Sequence, residues 1–488
     1  MNSAEPNEND DNNHDAAGKA IPWRDLLRPH HAQPLAIVCL AVWLHAADSL
    51  VVATMLPSIV ETIGGAGLVA WNVALYLVTS IVAGAATALL TIRHGLSLPM
   101  SVAAAVFGIG CLISTFAPSM PVMLGGRVLQ GLGGGTLVSA SFIAARMLFP
   151  SAAIPRVMAA ISTLWSASAL LGPLIGGLFV AYADWRWGFG FFAAQAFALA
   201  CWIAVRRIDT QASDDETENA AFPWRRLSAV CAGLLLVASA GIDVSLERSA
   251  PMLMGALILF AVFLRMDATA YASRMLPERP FDPRHRTGAG LLMLLCFCVA
   301  TVTNTVFGTL LVIKIHDVSA LTAGYVLAAS APGWTLAALL LSGAQERLDG
   351  VLVAAGFGIV TASIVAFIVV FPTGPIWAIA ATTFAGGAGF GMAWTFVLRR
   401  ATSGLSAAEG QRVANAITTV QRLGYALGAA FMGIAANGLS FERIATPEDA
   451  GMVAQGLFIA SLPVAIVGVA AMIPFIRDNQ PVLAKKKS

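Results

Sequence analysis

Apolar runs of ~20 residues, nearly free of charge and cut by Pro, Gly or basic clusters, recur along this chain, and a run of that length suits a membrane-crossing helix. They fall at 34–57, 69–92, 98–117, 121–147, 157–181, 188–205, 227–244, 250–266, 288–313, 321–343, 351–371, 375–398, 412–437 and 451–476. Of 488 residues, 58% are hydrophobic and 11% charged, whereas soluble domains run near ~45–50% and ~25%. A polytopic, all-α membrane protein with fourteen spans is expected. The runs 227–244 and 250–266 are the weakest, and without them the count is twelve.

Charge placement sets a topology, because Lys and Arg accumulate on the cytoplasmic side. With the N-terminus inside, 23 of the 29 basic residues fall in cytoplasmic segments and 4 in outer ones, while Arg127 and Arg422 lie within spans. Removing 227–244 and 250–266 together preserves this parity, so charge alone does not separate fourteen spans from twelve. Span length favours fourteen. The division that follows is an N-terminal tail at 1–33, acidic, rich in Asn and Asp and expected to be disordered, then a six-helix bundle at 34–207 and a linker at 208–226. An inserted two-helix hairpin at 227–266, a linker at 267–287, a second six-helix bundle at 288–476 and a basic tail at 477–488 complete it. Both termini are placed in the cytoplasm. The start lacks the basic and apolar regions of a signal peptide, so the first span is expected to direct insertion.

Charges inside spans are costly, at ~2.5–3.5 kcal/mol each on insertion scales, so those that occur are functional candidates. Asp48 is the single acidic residue deep in a span. It lies nine residues before Pro57, ~13 Å below the outer end of the first span, and Arg127 is ~12 Å into the fourth span by the same rise per residue. At one depth, the two can pair directly or through water. Gln130, Gly131 and Gly134 follow Arg127, making that face polar and small. A carboxylate there is pulled up in pKa by desolvation and down by arginine, a balance that a cavity opening alternately to each side would change, as proton carriage requires. The competing reading is a static pair that fixes helix packing. His45, one turn before Asp48, is a proton relay or a packing residue. Arg422, beside Gln421, either bonds helix carbonyls or serves substrate or gate.

Gly172-Pro173-Leu174-Ile175-Gly176-Gly177 in the fifth span and Gly131-Leu132-Gly133-Gly134-Gly135 in the fourth allow close helix approach, and Pro173 permits a kink. Neither run continues into the Lys and Ser or Thr of a phosphate loop. Uphill transport would therefore draw on an ion gradient: ~2.3 kcal/mol per charge at 100 mV supports roughly a fifty-fold gradient. The six cysteines all lie in apolar runs without metal-ligand spacing and read as packing residues. No cofactor, metal or nucleic-acid partner is expected. An enzyme is not expected either, because no nucleophile, metal cluster or acid pair gathers at one depth.

As a set, these residues resemble the drug:proton antiporters of the major facilitator superfamily. Asp48-Ser-Leu-Val-Val-Ala-Thr-Met-Leu-Pro57 is similar to their first-helix motif, Arg127-Val-Leu-Gln130-Gly131 to their fourth, and Gly172-Pro173-Leu-Ile-Gly176-Gly177 to their antiporter motif. Asp184-Trp185-Arg186-Trp187-Gly188-Phe189 and Gln421-Arg422-Leu-Gly424 resemble patterns of the fourteen-span branch, whose inserted hairpin also matches 227–266. The resemblance implies a major facilitator fold in which Asp48 couples protons, Arg127 assists transfer and the fifth-span glycines shape the cavity and restrain leak. It implies a cavity lined by spans 1, 4, 9 and 12, offering Gln130, Asn304, Phe307, Phe390 and Trp394. The family's inner-loop motif is eroded between Ala88 and Leu96, where Leu90, Arg93 and Gly95 remain. An acid–base run at Gly343–Gly350, with Glu346 and Arg347, offers a second gate element.

The reading that follows is proton-coupled export of amphipathic or hydrophobic small molecules across the cytoplasmic membrane by a multi-pass antiporter, acting as a monomer with protons, substrate and lipid as partners. The alternatives are a dedicated exporter of one metabolite, such as a siderophore or lipid, and a transport-inactive receptor or scaffold of the same fold.

Overall fold

A computed structural model of the chain describes residues 23–26, 28–150, 153–206, 223–242, 244–270, 274–341 and 343–477. Most of the expected N-terminal tail, linker 208–226 and basic C-terminal tail lie outside the described residues. Among those described there is no strand, as expected where backbone polar groups facing lipid must be satisfied within the helix itself.

After a single turn at Trp23–Leu26 come α1 (Pro29–Ile63), α2 (Val69–His94), α3 (Ser97–Thr115), α4 (Met120–Met147), α5 (Ile154–Tyr182) and α6 (Trp185–Arg206). Then follow α7 (Trp224–Ser239), α8 (Leu246–Ala268), α9 (Arg286–Val306), α10 (Gly308–His316), α11 (Ala320–Ala328) and α12 (Ser330–Leu341). The series ends with α13 (Asp349–Thr373), α14 (Ile376–Thr402), α15 (Ala407–Gly438) and α16 (Pro447–Arg477). Local chemistry sets several ends. Proline, pre-set for helix, opens α1, α4 and α5. Ser319 and Ser406 accept the Thr322 and Glu409 backbone N–H at the starts of α11 and α15. Gly64, at φ +68°, ends α1.

Two runs expected as continuous spans are interrupted. The run 288–313 breaks at Phe307 into α9 and α10, and 321–343 breaks at Ala329 into α11 and α12. Pro332 supplies no N–H to the Ala328 carbonyl, which explains the second break; Gly308 weakens the helix at the first.

Counting α11 and α12 together as one, twelve helices among the described residues are long and apolar enough to cross a membrane. Of the two expected spans outside that set, α7 has 16 residues, ~24 Å of helix, short of a ~30 Å hydrocarbon core. The other, α15, has 32 residues but carries Gln421 and Arg422 at mid-length. Its polar side is tolerated because it packs on α2, α7 and α9.

One buried core joins α1, α3, α4, α5 and α6, and a second joins α9, α13, α14, α15 and α16. A third draws Leu56, Val69, Ala70 and Ala74 together with Val302–Val312 and Val453–Phe458, so it binds the two parts at one end. At that end the Gly67 N–H donates to Glu442 Oε1 (2.8 Å) and Asn437 Nδ2 donates to the Gly67 carbonyl (3.0 Å). The α7–α8 hairpin lies against α2 and α15. Its other end is tied by Arg226 Nη1 to Asp267 Oδ1 (2.7 Å), while the Asp267 carboxylate accepts the Met275 and Leu276 N–H.

Candidate functional site

Helical spacing puts His45 and Asp48 on one side of α1, and α4 crosses there with Arg127 and Gln130. Arg127 Nη1 reaches Asp48 Oδ2 at 2.6 Å, both side chains being sealed from solvent. The same Nη1 donates to Gln130 Oε1, and Gln130 Nε2 donates to Ser114 Oγ of α3 (3.2 Å). The pair is direct, one of the two arrangements the shared depth allows.

The remaining wall comes from α2. The Arg127 guanidinium carbon stands 4.1 Å from the centroid of the Tyr76 ring, a cation–π contact strengthened by the dry surroundings. Tyr76 Oη shares a 2.8 Å hydrogen bond with His45 Nδ1, the rings stack at 5.3 Å, and Trp165 of α5 meets His45 edge-on at 5.8 Å. Among the described residues, Asp48 Oδ1 and Arg127 Nε are buried without a hydrogen-bond partner. Each ion therefore holds its counterion through one direct bond, with an acceptor on Asp48 and a donor on Arg127 left over.

The helix-packing residues lie where backbones meet. A side chain at Gly131 would fall 2.4 Å from the Tyr76 carbonyl, so that glycine brings α4 onto α2 beneath the site. A side chain at Gly172 would strike Leu50 Cβ at 2.6 Å, one at Gly176 the Val51 carbonyl at 2.8 Å, and one at Gly177 Leu321 Cβ at 2.8 Å. Pro173 is buried against Gly324. The fifth-span motif thus packs α5 onto α1 and α11 in one crossing.

The other candidates are dispersed. Phe390 and Trp394 of α14 join Trp334 of α12 in an aromatic group, with Phe390 5.1 Å and Trp394 6.0 Å from Trp334 by ring centroids. Phe307 is buried against Phe441 at 5.0 Å, and Asn304 Oδ1 is buried with no hydrogen-bond partner among the described residues. Arg93, Glu346 and Arg347 are exposed. Beside the last two, Asp349 is held by Arg399 of α14, whose Nε donates to Oδ2 at 3.0 Å.

Sequence reasoning missed Tyr76, Ser114, Trp165 and Arg399. Tyr76, one of only five tyrosines and placed mid-run, carried a usable signal; a serine or tryptophan in an apolar run carries little. Among the described residues no group of His, Cys, Asp and Glu is arranged to hold a metal.

Residues 38–429 match the Major Facilitator Superfamily. A probable multidrug-efflux transporter of Mycobacterium tuberculosis is 29% identical over 472 residues, covering 94% of this chain and 97% of that one. The fold is similar to that of a bacterial homologue of the human lysosomal transporter Spinster (TM-score 0.64, 15% identity, 92% of this chain and 97% of that one). It is also similar to a D-xylose–proton symporter (TM-score 0.61, 14% identity, 90% of this chain and 97% of that one). A dozen apolar helices, the extent of this match and the efflux relative lead to one conclusion: the chain is a multi-pass membrane transporter, not an enzyme, and belongs to the Major Facilitator Superfamily.

Proposed function

We propose that this protein is a proton-coupled antiporter that exports amphipathic or hydrophobic small molecules across the cytoplasmic membrane. In this reading the chain makes fourteen spans, two six-helix bundles plus the α7–α8 hairpin, with both termini in the cytoplasm. The 23-to-4 division of basic residues supports that orientation. The efflux relative supports the direction of transport.

The observation that carries the coupling is the buried Asp48–Arg127 pair with Asp48 Oδ1 left unpartnered. Protonation of Asp48 removes the charge that holds Arg127. The guanidinium then stays on the Tyr76 face and Gln130, and rearrangement of α1 against α4 no longer separates two buried ions. His45 stands one turn away to pass a proton through Tyr76. With this orientation the end closed by Gly67, Asn437 and Glu442 is the outer one, and alternating access requires those bonds to break. Asp349–Arg399 braces the inner ends of α13 and α14 within the second bundle, and the exposed Arg93, Glu346 and Arg347 are the proposed gate residues at that end.

The test is proton-driven uptake of a panel of fluorescent amphipathic compounds into inverted vesicles. Transport that collapses with the pH gradient, and is lost in Asp48→Asn with the protein still folded, supports the reading. Transport that survives Asp48→Asn with its gradient dependence intact removes Asp48 from coupling.

A further inference from the structure

The charges within the spans do not cancel. Asp48 is used by Arg127, and Arg422 makes no hydrogen bond or ion pair among the described residues. Arg422 lies at the midpoint of α15, ~23 Å from the helix start, yet it is half-buried rather than sealed. Its guanidinium points across the seam between the two bundles. A side chain at Gly84 of α2 would fall 3.4 Å from Arg422 Nη1 and 2.9 Å from Ser139 Oγ of α4. His45 and Tyr76 are its other electrostatic neighbours, and neither supplies a negative charge to match it. Trp165, 42% exposed, flanks His45 from α5.

An uncompensated guanidinium at mid-membrane is expensive unless something anionic meets it. Helix carbonyls do not, since none among the described residues accepts from Arg422. Lipid does not, since the side chain faces α2 and α4. We infer that Arg422 is the anchor for an anionic group on the transported molecule: a carboxylate, sulfonate or phenolate carried on an apolar body. Arg422 supplies a fork of donors suited to a planar oxyanion. Ser139 Oγ supplies a further donor, Gly84 leaves space for the anion, and Trp165 offers a flat apolar surface for the ring or chain attached to it.

This rests on the export reading and narrows its substrate class, away from the lipophilic cations that a lone acidic residue would suggest. Asp48 is already neutralised by Arg127, so it does not serve as a cation site while the pair stands. Export of an anion against an entering proton also moves charge favourably in both directions, because the inside-negative potential expels the one and draws in the other.

The experiment uses the full chain in neutral-lipid nanodiscs and three matched probes, 1-pyrenebutyrate, its primary amide and the corresponding alkylammonium, with binding read by tryptophan-to-pyrene energy transfer. The acid is expected to bind about tenfold or more tighter than the amide, as a charged hydrogen bond contributes. That preference is expected to vanish in Arg422→Gln and to survive in part in Arg422→Lys, each checked as monodisperse by size exclusion. Equal binding of acid and amide, tighter binding of the ammonium, or an acid preference unchanged in Arg422→Gln overturns the assignment. Acid-selective binding in a protein that moves none of the probes under a proton gradient leaves the anion site standing and removes the export reading instead.

Discussion

Tyr76 lies flat against Arg127, with 4.1 Å from the guanidinium carbon to the ring centroid, while its hydroxyl bonds His45 Nδ1 at 2.8 Å. One side chain of α2 therefore touches both the arginine of α4 and the histidine of α1. It restrains the guanidinium plane, so that Asp48 is met by Nη1 alone and its second oxygen stays unpartnered. The coupling chemistry proposed for Asp48 depends on this third helix as much as on the ion pair.

Removing the Tyr76 hydroxyl and removing its ring are expected to differ. Tyr76→Phe loses a hydrogen bond of ~1 kcal/mol and releases His45, slowing transport with little loss of stability. Tyr76→Leu also loses a desolvated cation–π contact of ~2 kcal/mol. Thermal unfolding in detergent beside vesicle transport separates them; equal loss of stability in both variants shows that the ring contact contributes nothing.

Breaking the ion pair from one side is expected to be worse than removing both charges. Arg127→Gln leaves Asp48 buried and uncompensated, a cost of ~3–5 kcal/mol. The double variant Asp48→Asn, Arg127→Gln is expected to recover most of that stability while remaining transport-dead. Chemical denaturation of the two, compared with wild type, reads the difference directly.

Gly177 faces Leu321 across the seam, where a Cβ would lie 2.8 Å from Leu321 Cβ. Gly177→Leu is expected to pry apart the closed end. Cysteines placed at Gly67 and Glu442, whose backbone and side chain are bonded at 2.8 Å, are expected to cross-link well in the parent. The yield should fall several-fold in Gly177→Leu. An unchanged yield shows that the glycine contact does not hold the seam.

Outside the membrane, Asp282 accepts the Arg284 N–H at 2.9 Å and faces His285, and these bonds hold its carboxyl below the usual carboxylate range. A depressed folded value means the turn is supported above the ordinary pKa of ~3.9 and loses that support as pH falls through the folded value. Amide exchange in 279–286 is expected to rise in acid beyond its intrinsic trend. Asp282→Asn is expected to remove that excess.

The apolar runs and the residues that interrupt them were legible in sequence because both are local properties: a run of ~20 apolar residues sets its own helix and its own solvent. Intramembrane charges were legible for the same reason, since their cost is visible without a partner. Depth arithmetic brought Asp48 and Arg127 to one level, but not into contact. The break at Ala329 had its cause written in Pro332, yet hydropathy averages over such a residue. Ser114 and Arg399 were hidden because hydroxyl and helix-end arginine residues are common in spans and are singled out only by what faces them, whereas Tyr76, one of five tyrosines, stood out in type but not in partner.

By itself the sequence determined an all-helical membrane protein and the few charges worth asking about, because helix formation in lipid is enforced residue by residue. Only the tertiary structure decided that Arg127 spends its charge on Asp48 while Arg422 keeps its own. Pairing depends on which helix faces cross, and that is set by the close approaches at Gly131, Gly172 and Gly176, contacts between residues far apart in the chain.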